Sequence, residues 1–361
     1  MKDRKYYLDN IRWMTVVLVI IYHIIYLFNC SGAISNIQVK GIPVMDGFLI
    51  FVYPWFMCLL FVISGMSTKY SLEKRTNKEF INDRKKRILI PSIAGIFIYG
   101  WVSGLITSKY TDMFMGNGDK IPGLIKYLIY CLMGVGPLWY AHVLFIASIL
   151  IIVMKKIDKQ NKISEICCKI KLWMLIPLYF IVWGSSCVLN TPMITVYRFG
   201  IYLFMFLLGY YVFADEKLQN KLQKYGISLM IVTLIIGIIY VITFYGQNYT
   251  EDSILQNWFT NLYLCIAIIS ILSFGMKYLN FNNKFTEYMT KNNFNFYVLH
   301  YIIVLLLGYL VVTYLKFPFI LNYIIILFGT IIILPIFTEF VKIIPVINRL
   351  VLGKINKRNE K

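Results

Sequence analysis

Long apolar runs separated by short basic segments are the feature that most constrains this sequence. A helix needs about twenty mostly apolar residues to cross the hydrocarbon core of a bilayer. Ten runs approach or reach that length: Leu8–Phe28, Phe48–Met66, Ile88–Thr107, Leu138–Met154, Trp173–Leu189, Val196–Ala214, Gly226–Tyr245, Phe259–Met276, Phe294–Tyr314 and Phe319–Ile344. A soluble core cannot bury so much apolar surface in a chain that is 59% hydrophobic. The sequence therefore predicts an all-α polytopic integral membrane protein.

The distribution of Lys and Arg predicts how these helices are oriented. With ten spans and a cytoplasmic N-terminus, six of the 36 Lys and Arg residues fall in outer loops and thirty fall inside. Because cytoplasmic loops are enriched in basic residues, we predict about ten transmembrane helices with both termini cytoplasmic. The apolar stretch Ile121–Leu132 is too short to span, so we expect an interfacial or re-entrant segment there.

Charge and organisation exclude several other classes of protein. The net charge is +19, but the basic residues lie in short clusters between apolar runs, so we expect no nucleic-acid partner. The stretches between runs reach about thirty residues, which is too short for an independent domain. We therefore expect residues 1–361 to form a single transmembrane domain with no fused soluble domain. Seven scattered cysteines show no metal-ligand spacing, and we predict no metal site.

A polar stripe runs along the first apolar helix. Arg12 and His23 are eleven residues apart, which is close to three helical turns and roughly 16 Å along the axis. Asp9 precedes Arg12 by three residues and Tyr26 follows His23 by three. An intramembrane imidazole is costly and marks a functional site by default, although a hydrogen-bonded structural histidine is the alternative. For Arg12 the alternative is snorkelling at a helix end.

Two further segments carry candidate binding residues. Arg84 and Arg87 lie three residues apart before the third apolar run. They are either positive-inside anchors or a phosphate clamp, because guanidinium groups match phosphate oxygens. Ser64 and Gly65 have no large side chain, which permits either close backbone approach to a ligand or ordinary helix packing.

Taken in order, these motifs resemble the acyltransferase 3 family of multi-span bacterial acyltransferases. The matching residues are LDNIR (8–12), His23 eleven residues after Arg12, FVISG (61–65) and RKKR (84–87). GPLWYAHVLF (136–145) looks like the LWF segment of that family, and NFYVLH (295–300) looks like its YLxH segment. The resemblance covers nearly the whole chain, but Trp13 stands where the family often has Gly.

The resemblance implies an acyltransferase that uses cytoplasmic acyl-CoA, most commonly acetyl-CoA, as a co-substrate and needs no bound cofactor. The acceptor would be a hydroxyl of a surface glycan or another extracytoplasmic or membrane-bound molecule. Arg12, Arg84 and Arg87 would converge on the CoA nucleotide, with the thioester near His23. His23 would act as the base, Asp9 would orient Arg12, and Ser64 would lie beside the donor. Direct transfer and an acyl-enzyme both stay open.

The remaining expectations concern secondary candidates and setting. We place His300 a few residues inside the inner end of the ninth helix, near the CoA, with a structural role as the alternative. His142, near the outer end of the fourth helix, is the next candidate for the base, and Trp139 beside it is another possible site residue. An ordinary interfacial position is the alternative for both. Some relatives carry a fused SGNH hydrolase-like domain, so a separate extracytoplasmic partner protein is an option here. We expect a multi-pass protein of the bacterial plasma membrane.

A rival function fits the same helix count. A non-enzymatic transporter or flippase of a lipid-linked glycan also has intramembrane charges. Few acidic residues lie in the apolar runs, and both basic motifs lie on one predicted donor path. These two features favour the acyltransferase.

Overall fold

The computed structural model describes residues 4–191 and 196–353, and most of these residues are helical. In chain order the main helices are α1 (Tyr6–Tyr26), α2 (Pro43–Leu72), α3 (Asn77–Thr107), α4 (Gly123–Met133), α5 (Gly136–Ile157), α6 (Leu172–Ser186), α7 (Phe199–Phe213), α8 (Glu216–Phe244), α9 (Trp258–Tyr278), α10 (Lys284–Leu315), α11 (Phe319–Ile343) and α12 (Pro345–Leu352). Short helices at Lys162–Cys167 and Asp252–Leu255 lie in connecting segments. The only β pairing among the described residues is an isolated bridge between Asn190 and Arg198.

The lengths of these helices confirm a polytopic all-α membrane protein. Within residues 4–191 and 196–353, eight helices are long and apolar enough to cross a bilayer: α1, α2, α3, α5, α8, α9, α10 and α11. The predicted spans Trp173–Leu189 and Val196–Ala214 correspond to α6 and α7, which are each shorter than 18 residues. The count of ten and the cytoplasmic termini therefore stay predictions. Helix α4 has 11 residues, which agrees with a segment too short to span.

Helix α3 begins earlier than its apolar run and contains two π turns, at Lys85–Leu89 and Ile96–Gly100. The first lies just before Pro91, which has no N–H and whose ring would clash with the carbonyl of Arg87 in a regular α-helix. The N–H of Ile90 instead reaches back to the carbonyl of Lys85. Single π turns of this kind are frequent at functional sites.

The chain divides into two compact units. The first comprises Met1–Val17, Ile50–Asp83 and Val143–Lys291, and the second comprises Leu18–Leu49, Arg84–His142 and Asn292–Lys361. In the first unit, α2 and α7 pack through glycines. An ideal Cβ at Gly65 would lie 2.0 Å from the carbonyl oxygen of Phe206, and one at Gly209 would lie 2.0 Å from that of Val62. Only residues without a side chain permit this approach.

In the second unit, α3 and α4 also pack through small residues. An ideal Cβ at Gly134 would lie 2.0 Å from the carbonyl oxygen of Gly100, and one at Gly104 would lie 2.4 Å from the Cα of Tyr130. The segment after α1 belongs to the same unit, and its Leu27 and Ile37 are fully buried.

Candidate active site

His23 and His300 meet in the second unit. The Nε2 atom of His300 lies 3.2 Å from Nδ1 of His23, and the ring centroids are 5.1 Å apart. His300 is fully buried, whereas His23 is half-buried. The sequence did not predict this contact. Our placement of His300 near the inner end of its helix is wrong, because α10 begins at Lys284 and His300 lies deep within it.

Backbone carbonyls define which nitrogen of each ring carries the proton. Nδ1 of His23 lies 2.8 Å from the carbonyl oxygen of Val19, and Nδ1 of His300 lies 2.7 Å from that of Tyr297. A carbonyl oxygen only accepts, so both Nδ1 atoms donate. In the neutral rings both Nε2 atoms are then unprotonated. His300 Nε2 is a second acceptor for the Nδ1–H of His23, and His23 Nε2 has a lone pair that can take a proton.

Aromatic residues surround the imidazole of His23. The ring centroids of Tyr301 and Tyr22 lie 4.9 and 5.2 Å from that of His23, both in edge-on geometry. The hydroxyl of Tyr301 donates to Oδ1 of Asn36, whose Nδ2 donates to Thr107 Oγ1 over 2.7 Å. This chain of contacts ties α10 to the segment after α1 and to α3. It restricts the space in which the His23 ring can rotate.

The segments that resemble the family motifs pack together in this unit. The hydroxyl of Tyr297 donates to the carbonyl oxygen of Pro137, and the rings of Tyr140 and Tyr297 are 5.4 Å apart. An ideal Cβ at Gly136 would lie 3.3 Å from the ring of Tyr301. Residues 136–140 therefore support the part of α10 that carries His300.

Trp139 and His142 lie on α5 in the same segment. Trp139 is buried and packs edge-on against Tyr140 at 6.4 Å. His142 is half-buried one turn further along the helix. Trp139 thus packs with the residues that hold α10, and His142 stays a secondary candidate.

Arg12 is held by two partners in the first unit. Its Nη1 lies 3.3 Å from Asp9 Oδ1 in an i,i+3 ion pair, the contact that an orienting role of Asp9 needs. Its Nη2 donates to Ser67 Oγ over 2.6 Å. Asp9 also accepts from Arg4 at 2.7 Å, and this hydrogen bond raises the pKa of the Arg4 guanidinium. Sequence reasoning missed Ser67, although its position three residues after Ser64 puts both hydroxyls on one side of α2.

Gly65 is required for helix packing. The neighbouring Ser64 is buried. The close approach at Gly65 is to the backbone of α7, so the packing alternative accounts for this glycine. Ser64 is 5% exposed, and a contact with a donor stays a prediction for it.

Arg84 and Arg87 belong to the second unit. Arg84 ends the first α-helical part of α3, and Arg87 lies in the π turn that follows. The end of α12 packs directly against this turn, because an ideal Cβ at Gly353 would lie 2.7 Å from the Cα of Arg87. The predicted convergence of Arg12 with these two arginines stays a prediction.

Comparison with known proteins bears on the whole chain. The family model described as an acyltransferase domain, Acyl_transf_3, matches residues 5–339. Glucans biosynthesis protein C of Escherichia coli O157:H7 is 23% identical over 334 residues, which are 85% of this chain and 83% of that protein. Its counterpart in strain SMS-3-5 is 23% identical over 336 residues. No solved structure matches the chain. The chain belongs to the acyltransferase 3 family and is a multi-pass membrane acyltransferase.

Proposed function

We propose that this protein transfers an acyl group, acetyl in the first instance, from cytoplasmic acyl-CoA to a hydroxyl of an extracytoplasmic or membrane-bound glycan. The observation that carries the proposal is the hydrogen-bonded pair of His23 and His300. An imidazole whose Nδ1–H is fixed by acceptors keeps the lone pair of its Nε2 for use as a base, as acyl transfer to a hydroxyl requires.

The chemical step needs one proton acceptor and one leaving group. The acceptor hydroxyl oxygen attacks the thioester carbonyl carbon while His23 Nε2 takes the hydroxyl proton. The C–S bond then breaks, the new ester forms, and the thiolate of CoA leaves and takes up the proton from His23. Atoms and charges balance without a metal or redox cofactor. His23 alone changes protonation in this cycle.

His300 positions His23 and stabilises its charged form. When Nε2 takes the proton, the ring becomes a cation and its Nδ1–H becomes a stronger donor. The lone pair of His300 Nε2 accepts from that N–H at 3.2 Å, alongside the carbonyl of Val19. This arrangement resembles the role of the carboxylate in a Ser-His-Asp triad, with a neutral ring in place of the acid.

The basic residues are proposed to bind the donor. CoA carries several phosphate charges, and Arg84 and Arg87 lie at a π turn next to the end of α12. Arg12 is held by Asp9 and Ser67, so its guanidinium is oriented in advance. Preorganised guanidinium groups bind phosphate with less loss of side-chain entropy.

A glycan acceptor is supported by the name of the relatives, which links them to glucan biosynthesis. We propose the plasma membrane of a bacterium as the location, with both termini in the cytoplasm. Delivery of the acceptor by a separate extracytoplasmic protein is part of the same proposal.

The direct test is transfer of label from radioactive acetyl-CoA to an extractable glycan in inverted membrane vesicles. Vesicles that contain the protein should accumulate alkali-labile label in the glycan fraction, and vesicles without it should not. Uptake of unmodified glycan without any binding of acetyl-CoA would contradict the proposal and favour a transporter.

The arginines provide a second test, with binding of acetyl-CoA to the purified protein as the measurement. We expect Arg84→Ala and Arg87→Ala each to weaken binding, because a charge-assisted hydrogen bond is worth about 1.5–3 kcal/mol. Arg→Lys should restore binding only in part if the contact is bidentate. Normal binding by both alanine variants, at equal protein level, would mean that these arginines are topological anchors.

A further inference from the structure

A cluster of buried amide side chains lies in the second unit, apart from the histidine pair. Asn292, Asn295 and Asn348 are 1%, 2% and 5% exposed and come from α10 and α12. We call these residues, together with Lys342 of α11, the amide cluster. Lys342 Nζ donates to Asn292 Oδ1 over 2.8 Å, and Asn295 Nδ2 lies 3.3 Å from the same oxygen. Asn348 Nδ2 donates to the carbonyl oxygen of Lys342 over 3.2 Å.

One acceptor in the cluster, and one next to it along α10, are not satisfied by the described chain. Oδ1 of Asn348 is buried and accepts no hydrogen bond from residues 4–191 or 196–353, and the same holds for Oδ1 of the adjacent Asn293. A buried polar atom without a partner costs free energy comparable to a lost hydrogen bond, and apolar residues would pack a helix junction more favourably. The unsatisfied oxygens therefore point to an external N–H donor.

Short stretches of helix connect the cluster to a basic turn and to the imidazole pair. Along α10, Asn295 and Asn292 precede His300 by five and eight residues, which is about 7.5 and 12 Å of helix. At the other end of the cluster, Asn348 is five residues from Gly353, whose backbone abuts Arg87. The order of chemistry within this unit is guanidinium, amide and ammonium, then imidazole.

Acyl-CoA presents complementary groups in the same order. Its phosphates are followed by a pantetheine arm with two secondary amides and then by the thioester. Amide N–H groups of the arm would satisfy the asparagine oxygens, and its carbonyls would accept from asparagine Nδ2 or the ammonium of Lys342. We propose that the amide cluster binds the pantetheine arm of the donor. This inference rests on the proposed use of acyl-CoA.

Comparison of two ligands tests the inference on the intact purified protein. Acetyl-CoA carries the arm, whereas adenosine 3′,5′-bisphosphate carries only the nucleotide phosphates. We expect Asn295→Leu and Asn348→Leu to weaken acetyl-CoA binding about tenfold, the loss expected for one or two hydrogen bonds, and to leave bisphosphate binding unchanged. Equal weakening for both ligands, or for neither, would overturn the amide site.

Asn322→Leu is the matched control. Asn322 is 2% exposed, has an Oδ1 atom without a partner among the described residues, and lies at the opposite end of α11 from Lys342. Its replacement should leave the affinities for both ligands unchanged. A loss of acetyl-CoA affinity equal to that of Asn348→Leu would assign the effect to general destabilisation and overturn the inference.

Hydrogen exchange on the wild-type protein tests the same claim without a substitution. Acetyl-CoA should slow amide exchange in Pro345–Leu352, and adenosine 3′,5′-bisphosphate should not. Equal protection by the two ligands, or none, would contradict the amide site. If the wild-type protein binds no acetyl-CoA, the proposed donor itself is wrong. If it binds acetyl-CoA but the asparagine variants bind it equally well, only the amide site is wrong.

Discussion

At the scale of single residues, one N–H of His23 faces two acceptors. The carbonyl oxygen of Val19 lies 2.8 Å from Nδ1 and the Nε2 atom of His300 lies 3.2 Å from it. Both contacts strengthen when the ring becomes a cation, because a charged donor forms stronger hydrogen bonds. Their contribution is therefore larger in the transition state than before the reaction.

Replacement of His300 tests that contribution. We expect His300→Leu to lower kcat about 10- to 150-fold with little change in KM, because a hydrogen bond to a charged group is worth about 1.5–3 kcal/mol. His300→Gln keeps an acceptor and should recover part of the rate. Steady-state transfer by purified protein in lipid measures both parameters.

A merely structural His300 would behave differently. In that case His300→Leu would lower the protein level and the unfolding temperature, and KM and kcat would change together. His300→Gln would then be no more active than His300→Leu. Asn322→Leu serves again as the control for loss of a buried polar group outside the active site.

The sequence predicted some contacts of the candidate site but not others. The cost of an imidazole inside an apolar helix was sufficient to single out His23. The spacing of three residues placed Asp9 and Arg12 on one face, where they form an ion pair. The partner of His23 is 277 residues away, and no local pattern reports such a contact. The apolar run Phe294–Tyr314 also placed the start of α10 too late, because polar residues from Lys284 onward belong to the same helix.

At the scale of helices, glycine contacts fix how neighbouring elements pack. An ideal Cβ at Gly65 would lie 2.0 Å from the Phe206 carbonyl oxygen, whereas one at Gly184 in α6 would meet nothing within 4 Å. Both positions are helical, so alanine improves helix propensity equally at each. The difference between the two substitutions therefore isolates the clash between α2 and α7.

We expect Gly65→Ala to destabilise the protein by about 1–3 kcal/mol, the usual cost of overpacking, and Gly184→Ala to leave stability unchanged or slightly higher. Thermal unfolding in the same detergent measures both. Equal unfolding temperatures for Gly65→Ala and the wild type would show that α2 and α7 can move apart at little cost in free energy. Close helix packing would then not explain Gly65.

Irregular turns were the part of the helices that sequence patterns did not predict. The run Ile88–Thr107 predicted a regular span, but α3 starts at Asn77 and widens at Lys85–Leu89 and Ile96–Gly100. Apolar runs report where a segment contacts lipid or protein, whereas π turns depend on local backbone hydrogen bonds. Pro91 was the one sequence signal near the first turn.

At the scale of the whole molecule, charge asymmetry predicts the orientation in the membrane. With cytoplasmic termini, the segment Gln247–Asp252 lies outside. In a variant without native cysteines, a membrane-impermeant thiol reagent added to cells should label a Cys at Asn248 and miss one at Asn359, which lies outside the described residues. The reverse pattern would contradict the topology and the cytoplasmic donor.

The measurement that tests the central claim most directly is acyl transfer by His23→Gln, compared with His23→Ala and the wild type at equal protein level. Glutamine keeps hydrogen bonding but cannot act as a base near neutral pH. We predict that both variants bind acetyl-CoA normally and that both lose transfer, by about 100-fold or more, which is the usual contribution of a positioned base. A Gln variant that retains much of the wild-type rate would contradict His23 as the base.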